Sequence, residues 1–517
     1  EIMPSLVGSE MCIRDRSNTL SYLTTFNNIH HLDFLAGYEI DDTYNDYLSG
    51  EAYNFTTPDK HAISNGMKTV SVGGSDSRYR LVSYLSRLNY DYKNKYYLGA
   101  SFRVDGSSRL HRDNRWGTFW SVSGAWRTIE EEFMQPVKDW LTDLRIRASY
   151  GVNGTLPSDY FGYMGLSSIS GGYLEQPGIQ MSQIANPNLK WETNYNMNIG
   201  LDFGFWDRLN FTIEYYTRTT KNLLMDCPVS MTTGFSSYLM NIGEVKNKGI
   251  ELTINSTNIK IKDFNWNTTF NLGHNSNKVV KLDGEQTQIV SGTQIHKVGS
   301  SYRTFYVQEF AGINPETGNP LFYTNELDEN GNYIKEITEN SKNAQFIPYK
   351  HAEPTVNGGI SNSLRYKWLD LNFLFSYQFG GYSYDTWAQK TEHGGYDSYA
   401  NIPTYYRDSW KKPGDQTNIE VYMPGKSSSV SMHKITSSRR IHSTDYFRLK
   451  NITFGITLPK EWTNKINIGN VRFYASASNL WTWAAYDNYD PEAVSAGSAT
   501  QTTPPLKTVT FGLNINF

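Results

Sequence analysis

Ten histidines are spread along the chain, and only His30 and His31 are neighbours. Acid–base or nucleophilic catalysis needs its groups within hydrogen-bond reach of one another. Local patterns that secure this, such as HExxH and GxSxG, do not occur. His30 and His31 fall at a tight turn after Asn28, so no catalytic residue is assigned. The acidic run 325–332 offers a second chemistry. Glu326, Asp328, Asn330 and Gly331 fit the spacing of a calcium loop, but the twelfth position is Ile337 instead of glutamate. An Asn330-Gly331 turn accounts for the same residues, and no metal or other cofactor is assigned. The third chemistry is adsorption of a polar, ring-shaped ligand. Segment 381–443 carries Tyr382, Tyr384, Trp387, Tyr405, Tyr406 and Trp410, and segment 482–505 carries Trp483, Tyr486 and Tyr489, interleaved with Asp, Asn and Gln. Aromatic faces accept the CH faces of sugar rings, while fixed polar groups hold hydroxyls. Trp387, Tyr405, Tyr406, Trp410 and Trp483 are therefore the candidate ligand contacts. Packing within the loops, or against a covering partner, accounts for any one of them at least as well.

The elements that must carry these loops are strands. Near the end of the chain, Val509, Phe511, Leu513, Ile515 and Phe517 share one parity, while Thr508, Thr510, Gly512, Asn514 and Asn516 share the other. Period two means one apolar and one polar face. A soluble sandwich seldom leaves such a strand unprotected, whereas a membrane barrel pairs its edges and covers the apolar face with lipid. About fifteen such strands can be placed. Short connections at 28–30, 93–94, 128–141, 205–208, 260–263, 367–368 and 459–469 alternate with mostly long ones at 44–77, 109–114, 153–190, 221–245, 279–354, 381–443 and 482–505. That asymmetry predicts an all-β fold, a transmembrane antiparallel β-barrel. Arg87, Asp91, Arg103 and Asp105 lie opposite the apolar parity and require water or mutual pairing inside. Trp206, Trp266, Trp368 and Trp462 sit at the short turns, where headgroup girdles belong. A parity switch between Leu449 and Ile452 predicts a bulge. Segment 301–322 is either a hairpin within its loop or two further wall strands.

Composition agrees. Aromatic content of 15% is incompatible with disorder. Hydrophobic content of 38% and mean hydropathy of −0.55 provide no helical span, a test that barrels escape because half their wall residues are polar. Net charge of −3 lacks the basic footprint of a nucleic-acid binder. Cys12 and Cys227 form no disulfide framework or metal motif. Residues 1–16 lack a secretory pattern and read as adapter-like, non-native sequence. They are expected to form no wall strand, leaving residues 17–517 as a partial barrel that is open or strained beside Leu20. The odd strand count points the same way, to missing N-terminal strands.

A family resemblance then becomes visible. Tyr79-Arg80-Leu81-Val82-Ser83-Tyr84-Leu85-Ser86-Arg87-Leu88-Asn89-Tyr90-Asp91-Tyr92 with the Lys93-Asn94-Lys95-Tyr96-Tyr97-Leu98 that follows, Phe102-Arg103-Val104-Asp105-Gly106-Ser107-Ser108-Arg109, and Arg145-Ile146-Arg147-Ala148-Ser149-Tyr150-Gly151-Val152-Asn153-Gly154 resemble signatures of SusC/RagA-type TonB-linked outer-membrane transporters. So do Asn186-Pro187-Asn188-Leu189-Lys190-Trp191-Glu192, Lys246-Asn247-Lys248-Gly249-Ile250-Glu251 and Tyr446-Phe447-Arg448-Leu449-Lys450-Asn451. The matches run in order from about residue 20 to the end. The resemblance implies a barrel of about 22 strands around a plug, in the outer membrane of a Bacteroidota-like cell. It implies import of oligosaccharides or peptides, a SusD-like surface lipoprotein as lid, and the TonB–ExbB–ExbD complex as the energy source. The family's plug and TonB box find no counterpart in these residues. No nucleic-acid partner is implied.

Overall fold

The computed structural model describes residues 5–55, 63, 66–173, 176–282, 287–395, 401–424, 435–463, 465, 468–500 and 502–516. Its main feature is one 15-stranded sheet whose strands follow chain order. The strands are β1 (Ser5–Phe26), β2 (His30–Phe55), β3 (Gly66–Tyr92), β4 (Tyr96–Ser107), β5 (Trp116–Trp126), β6 (Leu141–Thr155), β7 (Glu192–Phe205), β8 (Leu209–Lys221), β9 (Glu244–Lys260), β10 (Phe264–Lys281), β11 (Val356–Tyr366), β12 (Leu369–Phe379), β13 (Tyr446–Thr457), β14 (Asn470–Ala484) and β15 (Thr508–Asn516). No helix among the described residues is long and apolar enough to cross a membrane. The up-and-down antiparallel order is that of a transmembrane barrel wall, which satisfies every backbone group between strands.

By contact density the chain divides into two compact units, the first comprising 1–131, 146–199 and 218–244. In it, β2 and β3 pair from His30↔Tyr92 through Thr43↔Tyr79 and on to Phe55↔Gly66. Much of 44–77, expected as a polar connection, is therefore strand. β1 corrects a second expectation, because Leu6↔Gly50 through Arg16↔Ile40 are all in register, so residues within 1–16 do form a strand of the sheet. The physical reason is common to both. Ladder hydrogen bonds come from the main chain, so an extended segment beside an edge strand pairs without the alternation that lipid contact demands. Phe517, His61 and His433 lie outside the described residues.

The charges of the polar parity neutralise one another. Arg103 donates to Asp105 (2.7 Å), to the Ser83 hydroxyl (2.8 Å) and to Glu39 (3.3 Å), and Arg87 reaches Asp33 at 3.4 Å. Asp91 accepts the Asn94 N–H at 3.2 Å and so closes the β3–β4 turn. On the opposite parity Tyr84, Leu98, Phe102 and Val122 are exposed, as lipid-facing residues must be. Phe119 of β5 forms a small core with Leu110, Leu189 and Trp191, and the Trp191 indole donates to the Arg115 carbonyl at 3.0 Å.

The second unit comprises 132–145, 200–217 and 245–517. Its interior charges pair likewise, Arg472 with Asp370 at 2.7 Å and Arg145 with Asp202 at 2.9 Å. The expected bulge is present. Lys450 is left over between Phe375↔Leu449 and Leu374↔Asn451 on the β12 side, while on the other side it alone faces two residues, Asn479 and Leu480, and Asn479 takes a φ of 55°. Trp206, Trp368 and Trp462 are exposed at the short turns, while Trp266 is half-buried and donates to Asn362 at 2.9 Å.

Some glycines of this unit are covered by tyrosines. Tyr216 of β8 lies over Gly249 of β9 and donates to Asn275 of β10 at 2.9 Å. Tyr377 of β12 lies over Gly358 of β11 and donates to the Asn271 carbonyl of β10 at 2.9 Å. A Cβ on Gly249 or Gly358 would stand 2.6 or 2.5 Å from the phenol oxygen above it. Each ring thus crosses a neighbouring strand at the one residue that leaves room. Segment 301–322 resolves into loop structure: Thr304–Gln308 joins a four-stranded loop sheet, and Phe310–Ile313 pairs with Pro320–Tyr323.

Candidate functional site

In the second unit, the described parts of the long connections, 287–355, 380–395, 401–424, 435–445 and 485–500, fold onto one another. Tyr382–Asp385 pairs antiparallel with Ile441–Ser443 and parallel with Ser498–Ala499. Phe305, Val307, Tyr384 and Ile441 form the core beneath this small sheet. Asp385 ends the strand and caps the short helix Thr386–Thr391, its Oδ1 accepting the Ala388 N–H at 2.7 Å. Its Oδ2 accepts the Tyr486 hydroxyl at 3.0 Å, and Asn488 donates to that same hydroxyl at 2.7 Å. The Tyr486 ring stacks on His442 at 3.7 Å and 3°. Tyr489 bonds Ser383, and Thr386 donates to the Ala499 carbonyl at 2.5 Å.

Trp387 rises from this fixed base. Tyr384, Asp385 and Ala388 are buried, yet Trp387 is 41% exposed. Its ring borders two cavities, one of about 300 Å³ and one of about 420 Å³. Tyr405 lines the smaller one and donates to Glu392. Burial pushes the Tyr405 phenol up to about 12. Tyr406 is buried next to it, and burial drives its phenol higher still, the carboxylate of Glu420 adding to the effect. Trp410 stands apart: its indole donates to the Pro315 carbonyl at 2.7 Å and its ring covers Gly318, fixing the 314–319 turn. Trp483 is paired in register with Phe447 near the end of β14 and is exposed there. Of the five candidate residues, the structure brings Trp387, Tyr405 and Tyr406 together and separates Trp410 and Trp483 from them.

Sequence reasoning missed Asp385 and Asn488, and within 482–505 it singled out the aromatics and not Thr500, Thr502 and Thr503, which line the larger cavity. Asp385 carries a legible signal, an Asp directly before a helical turn; Asn488 carries none. The run 325–332 is a turn in which Asp328 accepts N–H groups from Asn330 (2.9 Å) and Asn332 (2.7 Å). Those bonds hold the Asp328 carboxyl below its ordinary range. Both bonds end on Oδ1, and the Asn332 side-chain amide reaches Oδ2 at 3.3 Å.

His442 yields a prediction. Burial lowers it from its ordinary value of 6.5 to about 4, with Arg440 and Arg439 adding to the effect and Asp385 opposing it. The folded loop block therefore holds a neutral imidazole, while an unfolded loop binds a proton below about pH 6.5. This contribution to loop stability is intact above that pH and is lost progressively as pH falls toward 4. Hydrogen exchange of 436–445 and 485–490 should accelerate across this window, and His442→Gln should flatten the dependence. An unchanged profile in the variant would refute the assignment.

Paired interior charges, an apolar outer parity, short turns on one side and folded loops on the other define an outer-membrane β-barrel. The model of the TonB dependent receptor-like β-barrel family matches residues 12–330. The chain belongs to that family, as its SusC/RagA signatures indicated, and its place is the Gram-negative outer membrane. TonB-dependent receptor P3 of Formosa agariphila is 32% identical over 99% of this chain and 54% of its own. TonB-dependent receptor SusC of Bacteroides thetaiotaomicron is 30% identical over 92% of this chain and 47% of its own. Among solved structures, that of the RagAB peptide transporter superposes with a TM-score of 0.87 at 26% identity, covering 100% of this chain and 56% of that one. The chain spans about half the length of the relatives it matches.

Proposed function

We propose that the protein of which this chain is the barrel portion is an active importer of oligosaccharides or peptides, driven by TonB–ExbB–ExbD and capped by a SusD-like surface lipoprotein. The observation that carries the reading is the likeness of the whole described chain to the RagAB peptide transporter, joined by 30% identity to SusC. Physical reasoning supports it. A barrel this wide leaks unless its lumen is filled, so selective uptake needs a gate and an energy source. Loops 279–354 and 381–443 are the proposed lid contacts, being the longest connections on the loop side. The test is growth and uptake on single oligosaccharide and peptide classes by cells carrying the full-length gene, with and without TonB. Uptake that requires TonB supports the reading; uptake indifferent to TonB makes the protein a passive porin. Deleting either loop should abolish co-purification with the lipoprotein, and retention would remove that contact alone.

A further inference from the structure

We propose that Arg78 and Arg80, on the lipid-facing parity of β3, hold the phosphate of a lipid headgroup in the outer leaflet and so fix the depth of this part of the wall. The inference stands on the barrel and its place in the outer membrane, and is independent of what is imported. The outward residues of β3 run from Tyr92 at the short turn through Leu88 and Tyr84 to Val82, then change to Arg80, Arg78 and Asp76. At about 3.3 Å per residue, Tyr92 to Val82 is a rise of about 33 Å along the strand. A tilt of about 40° brings this to about 25 Å, the height of the apolar band of such barrels. The arginines therefore begin where the hydrocarbon ends, on the side of the long loops, which is that of the outer leaflet.

Aromatic rings mark the same boundary independently. Tyr38 and Tyr84 are paired across β2 and β3 with ring centroids 5.2 Å apart, and Trp116 of β5 lies 6.3 Å from Tyr84. Tyr84 and Trp116 are both exposed. Such rings gather at headgroup level, because each has an apolar body and a polar tip. Arg80 is the second outward residue beyond Tyr84 on the same strand.

The two arginines are held ready and are not saturated. Asp42 of β2 stands opposite Arg80 and accepts from both: from Arg78 Nε at 2.7 Å, from Arg78 Nη2, and from Arg80 Nε at 3.1 Å. One carboxylate thus sets two guanidiniums side by side, and their side chains stay 54 and 57% exposed. Arg78 Nη1 and both Nη atoms of Arg80 donate to no group among the described residues. Planar guanidinium forks match phosphate oxygens in geometry and charge. The other charges of this face do not cancel the pair. Asp46 and Asp76 oppose each other farther from the bilayer, and Asp76 is about 7 Å along the strand from Arg78. β1 adds Arg14 across from Asp42 and Glu10 across from Asp46, one charge of each sign.

The experiment is native mass spectrometry of the full-length receptor purified from outer membranes. It is titrated with a monophosphorylated glycolipid and with the same lipid after removal of its phosphate. The phosphorylated lipid should be retained about tenfold more tightly. The double change Arg78→Gln, Arg80→Gln should abolish that preference. Arg80→Gln alone, which spares the Arg78–Asp42 pair, should reduce it without changing the heat-modified migration that reports a folded barrel. Arg87→Gln, on the inner parity, should leave it intact. Asp42→Asn separates recognition from wall structure, because it breaks the link between the strands but keeps both cations. Retention of the phosphorylated lipid by this variant supports the inference; its loss would make the trio a clasp between β2 and β3 and nothing more. Equal retention of the two lipids, or a preference unchanged in the double variant, would overturn the inference. Displacement of the lipid by inorganic phosphate alone would overturn the choice of a headgroup as the ligand.

Discussion

Arg448→Ala is expected to release the 485–507 loop from the wall, at a local cost of about 3–5 kcal/mol, the range for breaking a buried ion pair from one side. The Arg448 side chain is 2% exposed. Its guanidinium bonds Asp490 at 2.6 Å, the Thr482 hydroxyl at 3.0 Å, and Glu492. Tyr446 and Lys450 also reach Glu492, at 3.2 and 2.7 Å. Removing the arginine strands two carboxylates in a poorly solvated place, with Lys450 left to answer only one of them. Hydrogen exchange should show 485–500 opening while β13 and β14 stay protected. The triple change Arg448→Met, Asp490→Asn, Glu492→Gln should recover much of the loss, because it removes the unpaired charge as well as the pair. Protection unchanged in Arg448→Ala would mean that the loop is held by its other contacts.

Phe102→Arg is expected to destabilise the folded barrel by about 2–4 kcal/mol, the penalty for a cation facing mid-bilayer lipid. Phe102 lies in the middle of β4, is exposed, and pairs with Ser86 and Trp120. Its neighbour Arg103 carries a full charge without penalty because it points the other way and is paired. Asn89→Arg is the control: Asn89 bonds Asp33 at 3.2 Å, so a cation there meets an existing anion and should shift stability by less than about 1 kcal/mol. Urea unfolding of the full-length protein in lipid vesicles separates the two. Equal costs at both positions would mean that the apolar parity does not face lipid.

What was legible beforehand depended on whether lipid enforces a pattern. β12 reads directly because Leu369, Leu371, Phe373, Phe375 and Tyr377 alternate with Asp370, Asn372, Ser376 and Gln378. The bulge at Lys450 was equally plain, since one extra residue inverts the parity of all that follow. The extensions of β2 and β3 beyond Thr43 and Tyr79 were not. Lipid contact is what makes wall residues alternate, and a strand continued beyond the hydrocarbon region need not keep the pattern. Within the loops, aromatic content marked the right segments but not the individual roles. Trp410 looks like a ligand platform until Gly318, far away in sequence, is found beneath it. Trp387 is distinguished only by exposure on a buried base, a property of the assembled loops and not of its neighbours in the chain.

The tyrosines that lie across glycines bear on how the wall assembles. Hairpins added one after another can mispair by two residues without turning any side chain to the wrong face, so polarity alone does not reject the error. Such a slip would bring Val356 or Ile360 under Tyr377 in place of Gly358, and Asn247 or Glu251 under Tyr216 in place of Gly249. The ring could not then lie down, and its hydroxyl would miss Asn271 or Asn275 on the strand beyond. Each tyrosine–glycine pair therefore acts as a gauge that closes in a single alignment and reports on three consecutive strands at once, supplying an error check during insertion that the repeating pattern of the wall does not provide.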